Sequence, residues 1–103
     1  MKSTYYLQKC YEVQTERGLE YNKEGEQERS FAACANAFNA VTSRDLKGSD
    51  ICLILSLLKM VRQNANPETI HEDSLLDCVS YTSLWAEELH TEIGDDNGQT
   101  QVG

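Results

Sequence analysis

The segment from Ile51 to Val61 is apolar at nearly every position, and this run constrains the fold more than any other feature of the sequence. A helix at a protein surface keeps one polar face. Because this segment lacks such a face, it is predicted to form a central helix surrounded by neighbours. A helix that spans a bilayer needs roughly 20 apolar residues, so the run is too short to cross a membrane.

Three further segments are predicted to be helical. An alanine-rich stretch permits close packing of helices, and a stretch from His71 to His90 carries a wide apolar face. The N-terminal residues form either a short helix or a partly extended arm that packs on the bundle or on a second copy. The chain is therefore predicted to be all-α, a compact bundle of about four helices. The expected ranges are a helical domain at 1–91, with an N-terminal helix or arm at 1–16 and core helices within 27–90, and a disordered tail at 92–103.

The charge balance restricts the partners. The chain has 17 acidic against nine basic residues and a formal net charge of -8. A nucleic acid backbone would be repelled by such a chain, so nucleic-acid binding is not expected. A small anion can still bind if a local pair of bases, helped by a divalent cation, reverses the field within one pocket. An acidic surface could instead engage a basic host protein.

The four cysteines show no metal-binding spacing. Cys10, Cys34, Cys52 and Cys78 lie far apart and form no C-x-x-C pair, so they are expected to be core residues in a reducing compartment. The N-terminus has no apolar segment typical of a secretory signal. A cytoplasmic location is therefore predicted.

A polar stripe on the last helix is the first candidate site. Asp73, Asp77 and Tyr81 recur every four residues and so lie on one side of a helix. Two carboxylates one turn apart can hold Mg²⁺, which commonly carries the phosphate oxygens of a nucleotide. The tyrosine could stack on a base or hydrogen-bond to it, or it could be an ordinary buried residue.

Two bases on the central helix are the natural partners of this stripe. Lys59 and Arg62 are three residues apart in an otherwise apolar segment, where an unpaired charge is costly. If the third and fourth helices pack antiparallel, these bases reach the same end of the bundle as Asp73 and Asp77. They could neutralise phosphates there, or they could pair with the aspartates in an ion network that needs no ligand.

Two further residues have competing roles. Asp50 could be a third metal ligand, but its place beside the expected cap Ser49 at a helix start gives it a structural role. His71 could act as a base, but a surface or capping histidine is the commoner case.

The spacing of several motifs resembles a family of short phage and prophage proteins of unknown function, the DUF6378 family. The matching segments are Arg17-Gly18-x-x-Tyr21, Phe31 in an alanine-rich helix, Asp50-Ile51, Leu57-Leu58-Lys59-Met60-Val61-Arg62 and His71-x-Asp73-Ser74-Leu75-x-Asp77 followed by Tyr81. This resemblance adds Arg17 and Tyr21 to the candidate nucleotide-binding residues.

Through this family the chain is distantly similar to the MazG-type nucleotide pyrophosphohydrolases. Those enzymes are all-helical, dimerise and hold Mg²⁺ between carboxylates on neighbouring helices, so the resemblance implies a homo-oligomer. Their Glu-x-x-Glu motif is absent here, because Glu26 and Glu28 are not at helical spacing. The resemblance implies a phage-type, MazG-like nucleotide-directed protein, and its first candidate activity is that of a Mg²⁺-dependent nucleoside triphosphate pyrophosphohydrolase. The missing motif leaves catalysis open. Two alternatives remain: a non-catalytic binder that sequesters a nucleotide or nucleotide-derived signal, and an acidic phage protein that inhibits a host protein.

Overall fold

The computed structural model describes residues 1–21 and 30–94, with no side-chain description for residues 18–21. This part of the chain is helical and contains no strand, which confirms the all-α prediction. The helices are α1 (Ser3–Tyr21), α2 (Phe31–Thr42), α3 (Gly48–Ala65) and α4 (Glu72–Ile93). The expected start of the second helix at residues 27–29 and most of the expected tail lie outside the described residues.

The hairpin of α3 and α4 is the centre of the molecule. The two helices run antiparallel, which is the condition on which the meeting of Lys59 with the aspartates depended: Ser49 near the start of α3 bonds Glu92 near the end of α4, and Ser56 contacts Thr82 halfway along. Gln63 closes the connection, since its side chain donates to the Thr69 carbonyl and accepts from the His71 N–H. This short connection sets which turns of the two helices meet.

Helix α2 packs against α3, and a single asparagine holds the connection between them. The Asn39 side chain both accepts from the Leu46 N–H and donates to the Leu46 carbonyl, each at 2.8 Å. Ser43 ends α2 in the left-handed conformation, with φ of 61°. These contacts turn the chain from α2 into the first turn of α3.

Helix α1 is longer than the predicted 16 residues, because it continues through Arg17 and Gly18 to Tyr21. A glycine inside a helix costs only about 1 kcal/mol, which packing can offset. Here α1 packs on α4 through Cys10, whose thiol donates to the Leu76 carbonyl, and through Gln14. The two helices run parallel, since successive turns of α1 meet successive turns of α4.

The prediction that the third helix is surrounded by neighbours is wrong for the protomer. Side chains on one side of α3 remain open to solvent; Leu57, for example, is 50% exposed and Val61 is 63% exposed. We call this surface the outer face of α3. It comprises Leu53, Ile54, Leu57, Leu58, Met60 and Val61.

The core of the described part is made of small side chains. The buried apolar residues among residues 1–17 and 30–94 are Cys10, Ala35 and Cys52. Cys78 is half-buried and Cys34 is exposed on α2, so the prediction that all four cysteines are core residues is wrong for Cys34. The reason is that α2 buries only one narrow stripe, and Cys34 lies beside it.

No helix in the described ranges is both long enough and apolar enough to span a membrane.

Candidate functional site

A cavity of about 260 Å³ lies between α1 and α4 and gathers charges of both signs. Helix α1 contributes Lys9 and Arg17, and helix α4 contributes Asp73 and Asp77. The remaining lining residues are Cys10, Val13, Leu76 and Ser80. The site is therefore a charged recess with an apolar floor, formed by two parallel helices.

Asp77 links this cavity to the central helix. Its Oδ2 lies 3.0 Å from Lys59 Nζ, and the exposed fractions of the two side chains are 47% for Asp77 and 14% for Lys59. The aliphatic stem of Lys59 is covered, as is usual for a lysine that crosses a helix interface. Two predicted site residues thus form an ion pair. This is the contact expected of a purely structural network, although Asp77 still lines the cavity.

Asp50 does not join the other aspartates. Its Oδ2 accepts the Lys47 N–H at 2.8 Å in the first turn of α3, where a carboxylate is favoured by the helix dipole. It precedes Lys59 by nine residues, which is roughly 13 Å along a helix. Asp50 therefore has the structural role that was expected as the alternative. The cap itself differs from the prediction, because Lys47 and not Ser49 occupies that position.

The predicted basic pair is divided. Arg62 is exposed, does not line the cavity and forms no ion pair with Asp73 or Asp77. It lies three residues beyond Lys59, so it is turned by about 60° around the helix axis. Only Lys59 of the pair reaches the aspartates.

The two predicted tyrosines lie outside the cavity wall or outside the described side chains. Tyr81 is half-buried one turn beyond Asp77 and does not line the cavity. Tyr21 is the last residue of α1, and its side chain is not among those described.

Lys9 is a site residue that the sequence reasoning missed. Lys9, Val13 and Arg17 recur every four residues, so they lie on one side of a continuous helix. Ending the first helix before Arg17 concealed this regularity. An α1 that runs to Tyr21 would have indicated the shared face.

The metal-binding capacity of the site rests on two carboxylates. Asp73 and Asp77 lie one turn apart and both line the cavity. Among residues 1–21 and 30–94, no set of three or more His, Cys, Asp or Glu side chains is arranged to hold a metal ion. Mg²⁺ is often bound by only one or two carboxylates, with water and phosphate oxygens completing its shell, so two are sufficient for that mode.

The thiol in the cavity wall is kept protonated. Burial, and secondarily the negative charge of Asp77, raise the pKa of Cys10 above its usual value of 9.0. A thiol becomes a nucleophile only as its thiolate, so Cys10 is an unreactive wall residue at neutral pH.

A second polar cluster lies where α1 and α4 begin. The Tyr6 hydroxyl donates to Glu72 at 3.3 Å, and the rings of Tyr5 and Tyr6 meet edge to face at 5.2 Å. Desolvation, followed by the charge and hydrogen bonding of Glu72, raises the pKa of both tyrosines above 10.0. Next to this cluster, His71 contacts the buried Ser74 hydroxyl at the start of α4, so it occupies the capping position. His71 does not line the cavity, so its alternative role as a general base has no support there.

The family relationship follows the same helices that build the cavity. No curated protein and no solved structure matches the chain. A family model described as a domain of unknown function, DUF6378, matches residues 7–90. That range includes Lys9, Arg17, Lys59, Asp73 and Asp77. Because the model covers well over half of the 103 residues, the chain belongs to the DUF6378 family.

Proposed function

We propose that the protein binds a phosphate-bearing small molecule of the nucleotide class in the cavity between α1 and α4. The observation that carries this proposal is the meeting of Lys9 and Arg17 with Asp73 and Asp77 around one recess in a chain of net charge -8. Bases that are scarce in the sequence are concentrated at this point. The proposal also favours the cytoplasm as the location, because nucleotides are abundant there.

The local charge favours an anion. Lys59 neutralises Asp77 in their ion pair, so Lys9 and Arg17 outweigh the one remaining carboxylate, Asp73. An arginine guanidinium can donate two parallel hydrogen bonds to a phosphate, and a lysine adds a point charge. The recess is therefore locally cationic although the whole chain is acidic.

The size of the cavity indicates which part of a ligand enters it. A volume of about 260 Å³ is slightly below the range of about 300–1,000 Å³ typical of pockets that enclose a drug-sized molecule. We expect the phosphates to occupy the recess while the sugar and base extend beyond it. Tyr81, one turn beyond Asp77 on α4, is the aromatic residue that we expect to contact the base.

Asp73 and Asp77 fit a bridging role for Mg²⁺. The ion would be held by Asp73 and by the carboxylate oxygen of Asp77 that does not face Lys59, and it would carry the phosphate oxygens. Asp50 is excluded from this set by its distance along α3, so the cation would depend on the ligand for part of its coordination. Binding is therefore expected to be cooperative between Mg²⁺ and the nucleotide.

Binding without turnover is the function that this geometry supports best. The MazG-type similarity suggests hydrolysis, but a metal cage that activates water uses more carboxylates than the two in this recess. Pyrophosphohydrolase activity is the second candidate, supported by the fact that both aspartates open into the cavity. An enzyme of this type would release pyrophosphate, whereas a binder would return the nucleotide intact.

The test is a thermal-shift and calorimetric screen of nucleoside mono-, di- and triphosphates, each with and without Mg²⁺. A ligand that binds the native state raises the unfolding temperature by mass action. Arg17→Gln is expected to weaken binding by about 10-fold to 100-fold, the equivalent of one charged hydrogen bond. Arg44→Gln is the matched control, because Arg44 is exposed in the connection between α2 and α3.

The outcomes separate the candidates. Equal affinities for the Arg17 and Arg44 variants, or no shift with any nucleotide, would refute the proposed site. Phosphorus NMR of the mixture then distinguishes the two functions, since pyrophosphate accumulates only if the protein is an enzyme. An Asp73→Asn variant is expected to lose the dependence on Mg²⁺ while it retains weak binding of the nucleotide.

A further inference from the structure

The outer face of α3 is a large apolar surface that the protomer leaves open. Its six side chains follow one another over about 12 Å of helix, and several are half exposed or more. Contiguous apolar patches of this kind are uncommon on monomeric proteins and usually mark an interface. The surface lies opposite the side of α3 that packs on α4, so it is separate from the ligand cavity.

The described part of the protomer buries little apolar material. Cys52 and Ser74 are the largest side chains that are fully buried in the described ranges, and no Leu, Ile, Val, Phe or Trp there is fully buried. The helices also form an open row: α1 packs on α4, α4 on α3, and α3 on α2, with no packing between α1 and α2. A closed bundle would give each helix two neighbours around a shared core. A neighbour that covers the outer face of α3 would supply the burial that these described helices lack.

We propose that the outer face of α3 packs against the same face of a second copy, forming a two-fold symmetric dimer that completes the core. Another copy of the chain is the one partner that is always available during folding, and many obligate dimers have no stable monomer. Within the described part of the protomer this face has no neighbour, although its side chains are of the kind that a helix normally buries.

Charge favours an antiparallel crossing of the two α3 helices. The outer face itself carries no charged side chain, so two copies of a chain with net charge -8 can meet there without direct repulsion. In the antiparallel arrangement the first turn of one helix, with Asp50, approaches the last turn of the other, with Arg62. The opposed helix dipoles are also compensated in this orientation.

The area is sufficient for a dimer. Six residues that are roughly half exposed offer on the order of 500 Å² per protomer, against about 800 Å² per partner in a standard interface. Two copies of the outer face would therefore bury on the order of 1,000 Å² in total, which is about the lower limit for a specific interface.

Sedimentation analysis of the full chain tests this proposal. The wild type is expected to sediment at twice the chain mass of 11.6 kDa, and Leu57→Glu is expected to abolish the dimer. Leu7→Glu is the matched control, because Leu7 is 59% exposed but lies on α1. A folded wild-type monomer, or a dimer that survives Leu57→Glu and dissociates with Leu7→Glu, would overturn the inference.

A cross-linking experiment covers the case in which Leu57→Glu fails to fold. Leu57→Cys is introduced together with Cys34→Ser, which removes the exposed native thiol. Mild oxidation should join two copies through position 57, whereas Leu7→Cys in the same background should remain largely uncoupled. Equal coupling at both positions, or none at position 57, contradicts the proposed interface.

Discussion

The side of α3 that packs on α4 and the outer face of α3 differ in composition, and the difference is the reverse of that in an ordinary amphipathic helix. The side that packs on α4 carries small and polar residues: Ser49 and Ser56 are buried, Cys52 is 0% exposed, and Lys59 is largely covered. The side that faces away carries leucine, isoleucine, valine and methionine. In a protein that folds alone, the large apolar residues would be inside.

This reversed distribution of apolar residues indicates that the two sides of α3 have different structural roles. Small residues let α3 and α4 approach closely, and hydrogen bonds such as Ser56 to Thr82 fix their register. The close approach of α3 and α4 fixes the relative positions of Lys59 and Asp77, but it buries little apolar area. In the proposed dimer, the larger hydrophobic contribution comes from the outer face when a second copy covers it.

The largest expected effect on stability comes from enlarging a buried side chain on the side of α3 that packs on α4, which we call the inner side. Cys52→Leu adds a net two non-hydrogen atoms at a fully buried position and should lower the free energy of unfolding by about 2–3 kcal/mol. Cys34→Leu on the exposed surface of α2 is the control and should change it by less than about 0.5 kcal/mol. Urea denaturation of both variants provides the measurement, and similar losses would show that the inner side is not tightly packed.

The outer side should make stability depend on concentration. If a second copy covers this face, each tenfold rise in protein concentration stabilises the dimer by about 1.4 kcal/mol. Calorimetric scans over a range of concentrations should show an unfolding temperature that rises by a few degrees. An unfolding temperature that does not change with concentration would mean that the apolar face is open in solution.

The ion pair between Lys59 and Asp77 should contribute less to the free energy of unfolding. Because Asp77 is nearly half exposed, the coupling energy between Lys59 and Asp77 is expected to be about 0.5–1 kcal/mol. A double-mutant cycle with Lys59→Met and Asp77→Asn measures it, since methionine keeps the apolar stem of the lysine. The coupling should weaken in high salt. A coupling energy of zero at low salt would show that Lys59 does not interact with Asp77 in solution.

The smallest expected effect is a loss of stability at alkaline pH, and it does not affect the fold at neutral pH. The pKa of the Cys10 thiol is raised by burial, so the folded state keeps its proton at a pH where the unfolded state has begun to lose it. Its stabilising contribution is therefore complete below about 9.0, the unfolded value, and is lost as the pH rises through the folded pKa.

Thiol labelling checks this expectation against a second cysteine. Cys34 is exposed and should react with a maleimide well before Cys10 at neutral pH. Mass spectrometry after partial labelling identifies which thiol reacted. Preferential modification of Cys10 would mean that α1 separates readily from α4.

The order and type of the last three helices could be read from the sequence because each has a clear pattern, whereas the irregular apolar face of the first segment left a short helix and an extended arm as alternatives. The antiparallel contact of Lys59 with Asp77 also followed from spacing and a short connection. The environment of α3 could not be predicted in the same way. An apolar run indicates that a helix is covered, but it does not say whether the cover belongs to the same molecule.

The site was predicted only in part for a geometric reason. Sequence spacing on one helix defines a side of that helix, which is why Asp73 and Asp77 were found together. It does not define which neighbour meets that side. Lys9 was missed because α1 was expected to end early, and Asp50 was included although antiparallel packing places it at the other end of the hairpin.

One glycine has a consequence for the whole assembly. A side-chain carbon at Gly48 would press against Glu88 of α4 and lie 3.3 Å from the backbone nitrogen of Ala32 in α2. Elements of three helices thus come together around Gly48. A side chain there would displace the flexible Glu88 carboxylate and would require α2 to shift by a few tenths of an ångström. Relatives that share this crossing are expected to retain glycine there, which offers a simple marker for the same architecture in other sequences.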